Sequence, residues 1–369
     1  MPHSPAGQER PSGRFFLPGP TEVHPDVLAA QLRPMMGHRG STAQAFMKPI
    51  HERLQRVFFT ARPVFVSTSS ATGLMEAAVR NAGRERILSL VNGAFSQRFS
   101  DIARSCGFEV DEVSIPWGEA HDPNDLTEAL SKDRYDAVTM VHSETSTGVL
   151  NDIPALAAAV KAFDDTLILV DSVTGFGATE VRPDDWGVDF LLTGSQKAFA
   201  LPPGLSFGVA SERMMKRAAT SPHRGYYFDL EFFADNHEKH QATTTPALSV
   251  LYALDVQLDR MLAEGMDARW ARHRSMAERS WRWVDEMRGS GVEVAVMAPE
   301  GFRSPAVTAV RTPKGVTGSS VTAAVAERGW IVGGGYGKLK ESTFRIGHMG
   351  DHTLDELEGL LEVLTGVLT

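Results

Sequence analysis

The sequence predicts an α/β protein, with a large domain built on a mostly parallel central sheet flanked by helices and a smaller C-terminal α/β domain. Three observations carry this. Apolar runs of strand length alternate with helical patterns over residues 63–211, the coding of a parallel sheet covered on both faces. The small polar clusters fall after the C-terminal ends of those runs, where open α/β sheets place ligands. Two such ends carry reactive groups. Thr166-Leu-Ile-Leu-Val-Asp171 stops on an aspartate, and Asp189-Phe-Leu-Leu-Thr193 leads into Gly194-Ser-Gln-Lys197.

The composition fits that class. A chain of 369 residues, 42% hydrophobic and 22% charged, has ample core for two domains. A net charge of −9 argues against a general binder of nucleic acid or anionic membranes. The single cysteine, Cys106, excludes an intramolecular disulfide and a cysteine-based metal cluster, and fits a reducing compartment. No apolar stretch reaches the length of a membrane span, and Met1–Arg14 lacks the apolar core of a signal peptide. The expectation is a cytoplasmic protein with an N-terminal arm (1–20), a large domain (21–264) and a small domain (265–369).

Taken in order, Phe15-Phe-Leu-Pro-Gly-Pro-Thr21 is apolar, then rich in turn formers, and is expected to cross the surface of the large domain. A helix should begin near His24. Met36-Gly-His-Arg-Gly-Ser41 reads as a polar loop or, functionally, as the lining of an anion site. Phe46, Ile50, Leu54, Val57 and Phe58 recur at helical spacing, which predicts a helix over 43–59. Residues 63–79 read as strand, small-residue loop, helix. Thr68–Gly73 would place hydroxyls and free amides at that helix's N-terminus, a setting that favours phosphate. An ordinary hydroxyl cap is the competing reading.

The strand at 86–91 leads into Asn92-Gly-Ala-Phe-Ser-Gln-Arg98 and a helix. Strands follow at 108–115 and 135–142, with a short helix at 125–131 between them. Ser143-Glu-Thr-Ser-Thr-Gly148 is a polar turn, succeeded by a helix over 153–163 and the strand to Asp171. Past Lys197, Pro202, Pro203 and Gly204 stop any long helix, and 205–211 is a further strand. Residues 223–246 read as irregular, the next helix contains Leu248 to Leu258, and 263–288 reads as one long helix despite Gly265. The small domain has strands at 292–296 and 306–311, a helix at 320–328, a glycine-rich loop (Gly333–Gly337), a strand bearing Arg345, and a last helix from Leu354. The glycine run does not match a dinucleotide fingerprint.

A strand-end aspartate and a strand-end lysine are what a pyridoxal phosphate enzyme needs: the lysine attaches the cofactor, and the carboxylate keeps its pyridine nitrogen protonated. With Val170-Asp-Ser-Val173, Gly194-Ser-Gln-Lys197 and Phe344-Arg-Ile-Gly347 in that order, the chain resembles the class V aminotransferases of fold type I. The nearest branch is that of the alanine–glyoxylate and serine–pyruvate aminotransferases. The resemblance runs from Leu17-Pro-Gly-Pro-Thr21 to Gly347.

The resemblance implies pyridoxal 5′-phosphate as cofactor and transamination between a small amino acid and a 2-oxo acid such as glyoxylate or pyruvate. It makes Lys197 the attachment point and proton carrier, and Asp171 the partner of the pyridine nitrogen. Phe95 would stack on the ring, where relatives commonly use tryptophan, and Thr145 would bond the phenolic oxygen. Ser70, Ala71, Thr72 and Gln196 would hold the phosphate, although related enzymes often have glycine and histidine at the positions of Ala71 and Thr72. Thr244 would reach the phosphate of a neighbouring subunit, making a homodimer with shared sites, and Arg345 would grip the substrate α-carboxylate. Phosphoserine and 2-aminoethylphosphonate aminotransferases are the alternatives, with His38 and Arg39 near the site entrance. A lyase or desulfurase of the same fold is a further one. It needs a mobile cysteine, whereas Cys106 is expected at the end of a structural helix.

Overall fold

The structure is a computed structural model and describes residues 13–369; of the arm expected over residues 1–20, residues 1–12 lie outside the described residues. Strand β1 (Phe15–Phe16) is followed by α1 (Pro25–Ala30) and α2 (Ser41–Phe58). Helix α2 buries Met47, Ile50, Leu54, Val57 and Phe58, the stripe its spacing encodes. Next come β2 (Val64–Ser67), α3 (Ala71–Ala82), β3 (Arg86–Val91), α4 (Ala94–Ser105), β4 (Glu109–Ser114), α5 (Pro123–Leu130) and β5 (Ala137–Val141). A short hairpin, β6 (Ser143–Glu144) and β7 (Val149–Leu150), precedes α6 (Ile153–Val160), β8 (Leu167–Asp171), α7 (Pro183–Trp186), β9 (Phe190–Gly194) and β10 (Ser206–Ala210).

Strands β2 to β5 and β8 to β10 form a seven-stranded sheet in the order β2-β10-β9-β8-β5-β3-β4. The run β4-β3-β5-β8-β9 is parallel throughout, and β10 alone is reversed, antiparallel to both β9 and β2. Strands β5, β8 and β9 are buried along their whole length, because helices cover both faces. Edge strand β4 is instead charged, with Glu109, Asp111 and Glu112 discouraging pairing with another chain. Register fixes the chemistry: Asp171 lies beside Val141 on one side and Leu192 on the other, so β8 and β9 end together.

Helices α8 (Glu212–Thr220), α9 (Leu230–Glu238), α10 (Leu248–Glu264) and α11 (Met266–Gly289) follow the sheet. The predicted irregular stretch over 223–246 is corrected by α9, whose N-cap Asp229 accepts from the Glu231 amide. The single long helix expected over 263–288 is also corrected. The chain breaks at Gly265, whose φ of 81° suits glycine, and α11 starts one residue later.

The remaining strands, β11 (Ala295–Val296), β12 (Thr308–Arg311), β13 (Ile331–Gly334) and β14 (Thr343–Ile346), form a second sheet with α12 (Gly318–Glu327) and α13 (Leu354–Leu368) against it. Two expectations are refined here. Gly333 and Gly334, two of the five residues of the predicted glycine loop, lie in strand β13, and Phe15–Phe16 pair with β13 in parallel before Pro18–Thr21 cross to the large domain at Lys197 and Gln196. Phe16 is fully buried among residues of the second sheet's core. The segment then runs against β14, where a Cβ on Gly347 would collide with the Leu17 backbone.

Candidate active site

A cavity of about 280 Å³ opens where β8 and β9 end and α3 and α4 begin. Ser70, Ala71, Thr72, Phe95, Thr145, Asp171, Gln196 and Lys197 line it together. A wider groove of about 520 Å³ between β4 and α5 is mostly acidic and has no such convergence, so chemistry and not size identifies the site.

Lys197 follows β9 by three residues and is 7% exposed. Its Nζ donates to the Pro18 carbonyl, which the β1 segment brings in from the second sheet. Burial first, and the Arg345 guanidinium second, lower the amine from its ordinary value to about 7. Asp171 moves the opposite way. Burial raises it to about 7, against the pull of the Val173 N–H that Oδ1 accepts at 2.7 Å. A buried carboxylate with so little hydrogen bonding suits a cationic N–H partner. The ring nitrogen of pyridoxal phosphate is such a group, so the residues fit the cofactor.

The phosphate end fits as well. Ser70 occupies the N-cap of α3 but its side chain makes no capping bond. The hydroxyl-cap reading therefore does not describe this helix, and Ser70, Ala71 and Thr72 at its start line the cavity, where free amides suit an anion. Gln196 lines the same wall. Across the cavity the Thr145 hydroxyl bonds that of Thr174 at 2.5 Å.

Arg345, on β14, is 8% exposed. Its Nε donates to the Gly334 carbonyl at 2.8 Å and its Nη1 to the Thr145 carbonyl at 3.2 Å. Among the described residues it forms no ion pair, and burial lowers it to about 10, so it remains charged at neutral pH. A buried guanidinium satisfied only by carbonyls is poised for a carboxylate.

Sequence reasoning missed several neighbours. Glu144 is fully buried and organises the start of α4, accepting from the Phe95 and Ser96 amides and from the Ser146 amide and hydroxyl. Tyr336 stacks on Phe95 with ring centroids 5.3 Å apart. Arg98 covers the same Phe95 ring at 4.8 Å. The signal for Arg98 was its place one helical turn after Phe95. The Pro18 carbonyl had no sequence signal.

Neither Arg345 nor Thr244 is among the residues lining the cavity; Arg345 meets its wall at the Thr145 carbonyl. Arg39 donates to Gln241 Oε1 and to the Thr243 carbonyl, beside Thr244, and His38 shares its loop. Cys106 caps the C-terminus of α4 outside the cavity, and burial raises its thiol.

A lysine and an aspartate from adjacent strands, a helix N-terminus without a side-chain cap on the same cavity, and at its wall a buried arginine without an ion pair among the described residues are the parts of a fold-type I pyridoxal phosphate enzyme. Residues 22–339 match the model of the class-V aminotransferases, and the chain belongs to that family. It is a pyridoxal phosphate-dependent aminotransferase. An uncharacterized aminotransferase of Methanocaldococcus jannaschii is 35% identical over 342 residues, covering 91% of this chain and 87% of its own. The L-aspartate–glyoxylate aminotransferase of Paracoccus denitrificans is 32% identical over 347 residues, 92% of this chain and 87% of its own. The crystal structure of alanine–glyoxylate aminotransferase from Nostoc sp. superposes with a TM-score of 0.91 at 30% identity, covering 98% of this chain and 96% of that one.

Proposed function

We propose that this aminotransferase moves an amino group from a small amino acid, alanine or serine in kind, to a 2-oxo acid such as glyoxylate or pyruvate, as a cytoplasmic homodimer with shared sites. The observation that carries the reading is Arg345, a buried cation with no carboxylate partner among the described residues, whose charge acts on Lys197. Its fork would hold the substrate α-carboxylate and so orient the Cα–H bond towards Lys197, which would favour loss of a proton over loss of carbon dioxide. Bound pyridoxal phosphate supplies the electron sink for that ionisation. The Lys197 amine, lowered to about 7, would accept the substrate's Cα proton and hold it for return. Asp171 would keep the pyridine nitrogen protonated, the start of α3 with Gln196 would hold the phosphate, and Phe95 would support the ring face.

The acceptor reading is also supported by the Paracoccus and Nostoc relatives, both named for glyoxylate as acceptor. No helix among the described residues is long and apolar enough to cross a membrane, which is consistent with the cytoplasmic reading. The placement of Arg39 beside Thr244 supports a second donor class, phosphoserine or 2-aminoethylphosphonate, met by the neighbouring subunit's loop. The position of Cys106 favours transamination over desulfurase chemistry.

Purified protein should be yellow, and borohydride should fix the cofactor to Lys197. Lys197→Ala should lose both the trapped cofactor and turnover with a panel of amino donors against glyoxylate, pyruvate and 2-oxoglutarate. Normal turnover in that variant would overturn the mechanism. A panel in which only phosphorylated or phosphonate donors react would select the second donor class.

A further inference from the structure

Arg98 has no part in the chemistry described so far. It lines the Lys197 cavity and is half-buried, and its charge acts on both Asp171 and Lys197. Its Nη2 donates to the Tyr336 hydroxyl at 2.9 Å, and among the described residues it forms no ion pair. One of its five donors is thus used, leaving most of the guanidinium fork open.

The Tyr336 ring connects this cation to the other. The Arg345 guanidinium lies 5.6 Å from the Tyr336 ring centroid, while Arg98 holds the hydroxyl at the far end of the same side chain. Tyr336 is 38% exposed and stands at the mouth of the cavity. Two guanidiniums without carboxylates therefore flank one phenol above a site that binds amino acids. Arg345 alone accounts for the α-carboxylate that every amino acid carries. A second open fork at the cavity suits a substrate that carries a second anionic group.

We propose that Arg98, oriented by the Tyr336 hydroxyl, binds the side-chain carboxylate of a four- or five-carbon dicarboxylic amino acid or oxo acid. The enzyme then accepts aspartate- or glutamate-type donors in addition to small neutral ones. This rests on the reading of Arg345 as the α-carboxylate binder. A merely structural Arg98, holding the Phe95 and Tyr336 rings in place, would affect every donor alike.

The test is the specificity ratio of the holoenzyme, kcat/KM for L-aspartate over that for L-alanine, with glyoxylate as acceptor. Arg98→Gln should lower the ratio about 100-fold, and Arg98→Lys about 10-fold because the charge stays and the fork is lost. Tyr336→Phe should move it the same way by a smaller factor. Calorimetry should show succinate binding weakened in Arg98→Gln relative to acetate. The proposal is overturned if the ratio and relative succinate binding do not change. It is also overturned if the wild-type enzyme uses alanine but neither aspartate nor glutamate, an outcome that leaves the proposed transamination intact. Absence of turnover with every donor would instead remove both readings.

Discussion

Burial acts on two ionisable groups of opposite sign in this site and brings both to about the same pH. The Lys197 amine comes down to about 7 and the Asp171 carboxyl up to about 7, each driven mainly by loss of water. In the apoprotein the unfolded chain binds the Lys197 proton up to about pH 10.5 while the folded chain releases it near 7. Stability from this group therefore grows as pH rises across that window. For Asp171 the folded chain holds its proton from about pH 3.8 to 7, so its contribution is present at low pH and lost as pH rises through 7. The same depression of Lys197 makes a kinetic prediction, because only the neutral amine attaches pyridoxal phosphate. Uptake of the cofactor by apoprotein, followed by absorbance, should reach half its maximal rate near pH 7. Arg345→Met removes the second-largest lowering influence and should move that midpoint upward. A wild-type midpoint near pH 10 would show that Lys197 is not buried as described.

At the scale of the element, the N-terminus of α4 is where a side chain outside the motifs decides the position of one inside them. Glu144 comes from hairpin β6–β7 and accepts the amides of Phe95 and Ser96, which have no helical partners of their own. Glu144→Ala would leave these buried donors unsatisfied and should cost about 3 kcal/mol, read from denaturant unfolding, with weaker cofactor retention because Phe95 loses its anchor. Unchanged stability would mean that water replaces the carboxylate fully. Legibility followed the same line between local and distant causes. The strand ends at Asp171 and Thr193 were readable because apolar runs and turn residues are adjacent in sequence, and the structure brings the Asp171 and Lys197 that follow from them to one cavity. Glu144 and the Pro18 carbonyl were not, since their partners lie 48 and 179 residues away. Helix α9 was missed because its polar residues mask a short pattern, and β1 because two residues pair only with a strand more than 300 positions later.

For the whole molecule, the open question posed by the geometry is what Thr244 does, since it does not line the cavity of its own chain. Its loop is fastened near the start of α3, where the Ala247 amide donates to Thr68 Oγ1 at 3.1 Å, and the segment before α9 meets the same residue through the Tyr227 hydroxyl, which donates to the Thr68 carbonyl at 3.1 Å. Tyr226 next to it is 76% exposed, and Leu32 and Met35 in the segment before Arg39 are exposed as well. Large apolar side chains facing water around a partly built site are what a second copy of the chain would cover. If that copy supplies Thr244 to the phosphate, cofactor affinity becomes a function of protein concentration. Dilution of the wild-type holoenzyme through the dimer–monomer transition, located by light scattering, should release pyridoxal phosphate in parallel. Thr244→Ala should weaken cofactor binding in the concentrated dimer by about 5-fold, one lost hydrogen bond to an anion, and make no further difference once the chains have separated. Equal effects of the substitution in dimer and monomer would place Thr244 at its own chain's site and remove the argument for sharing.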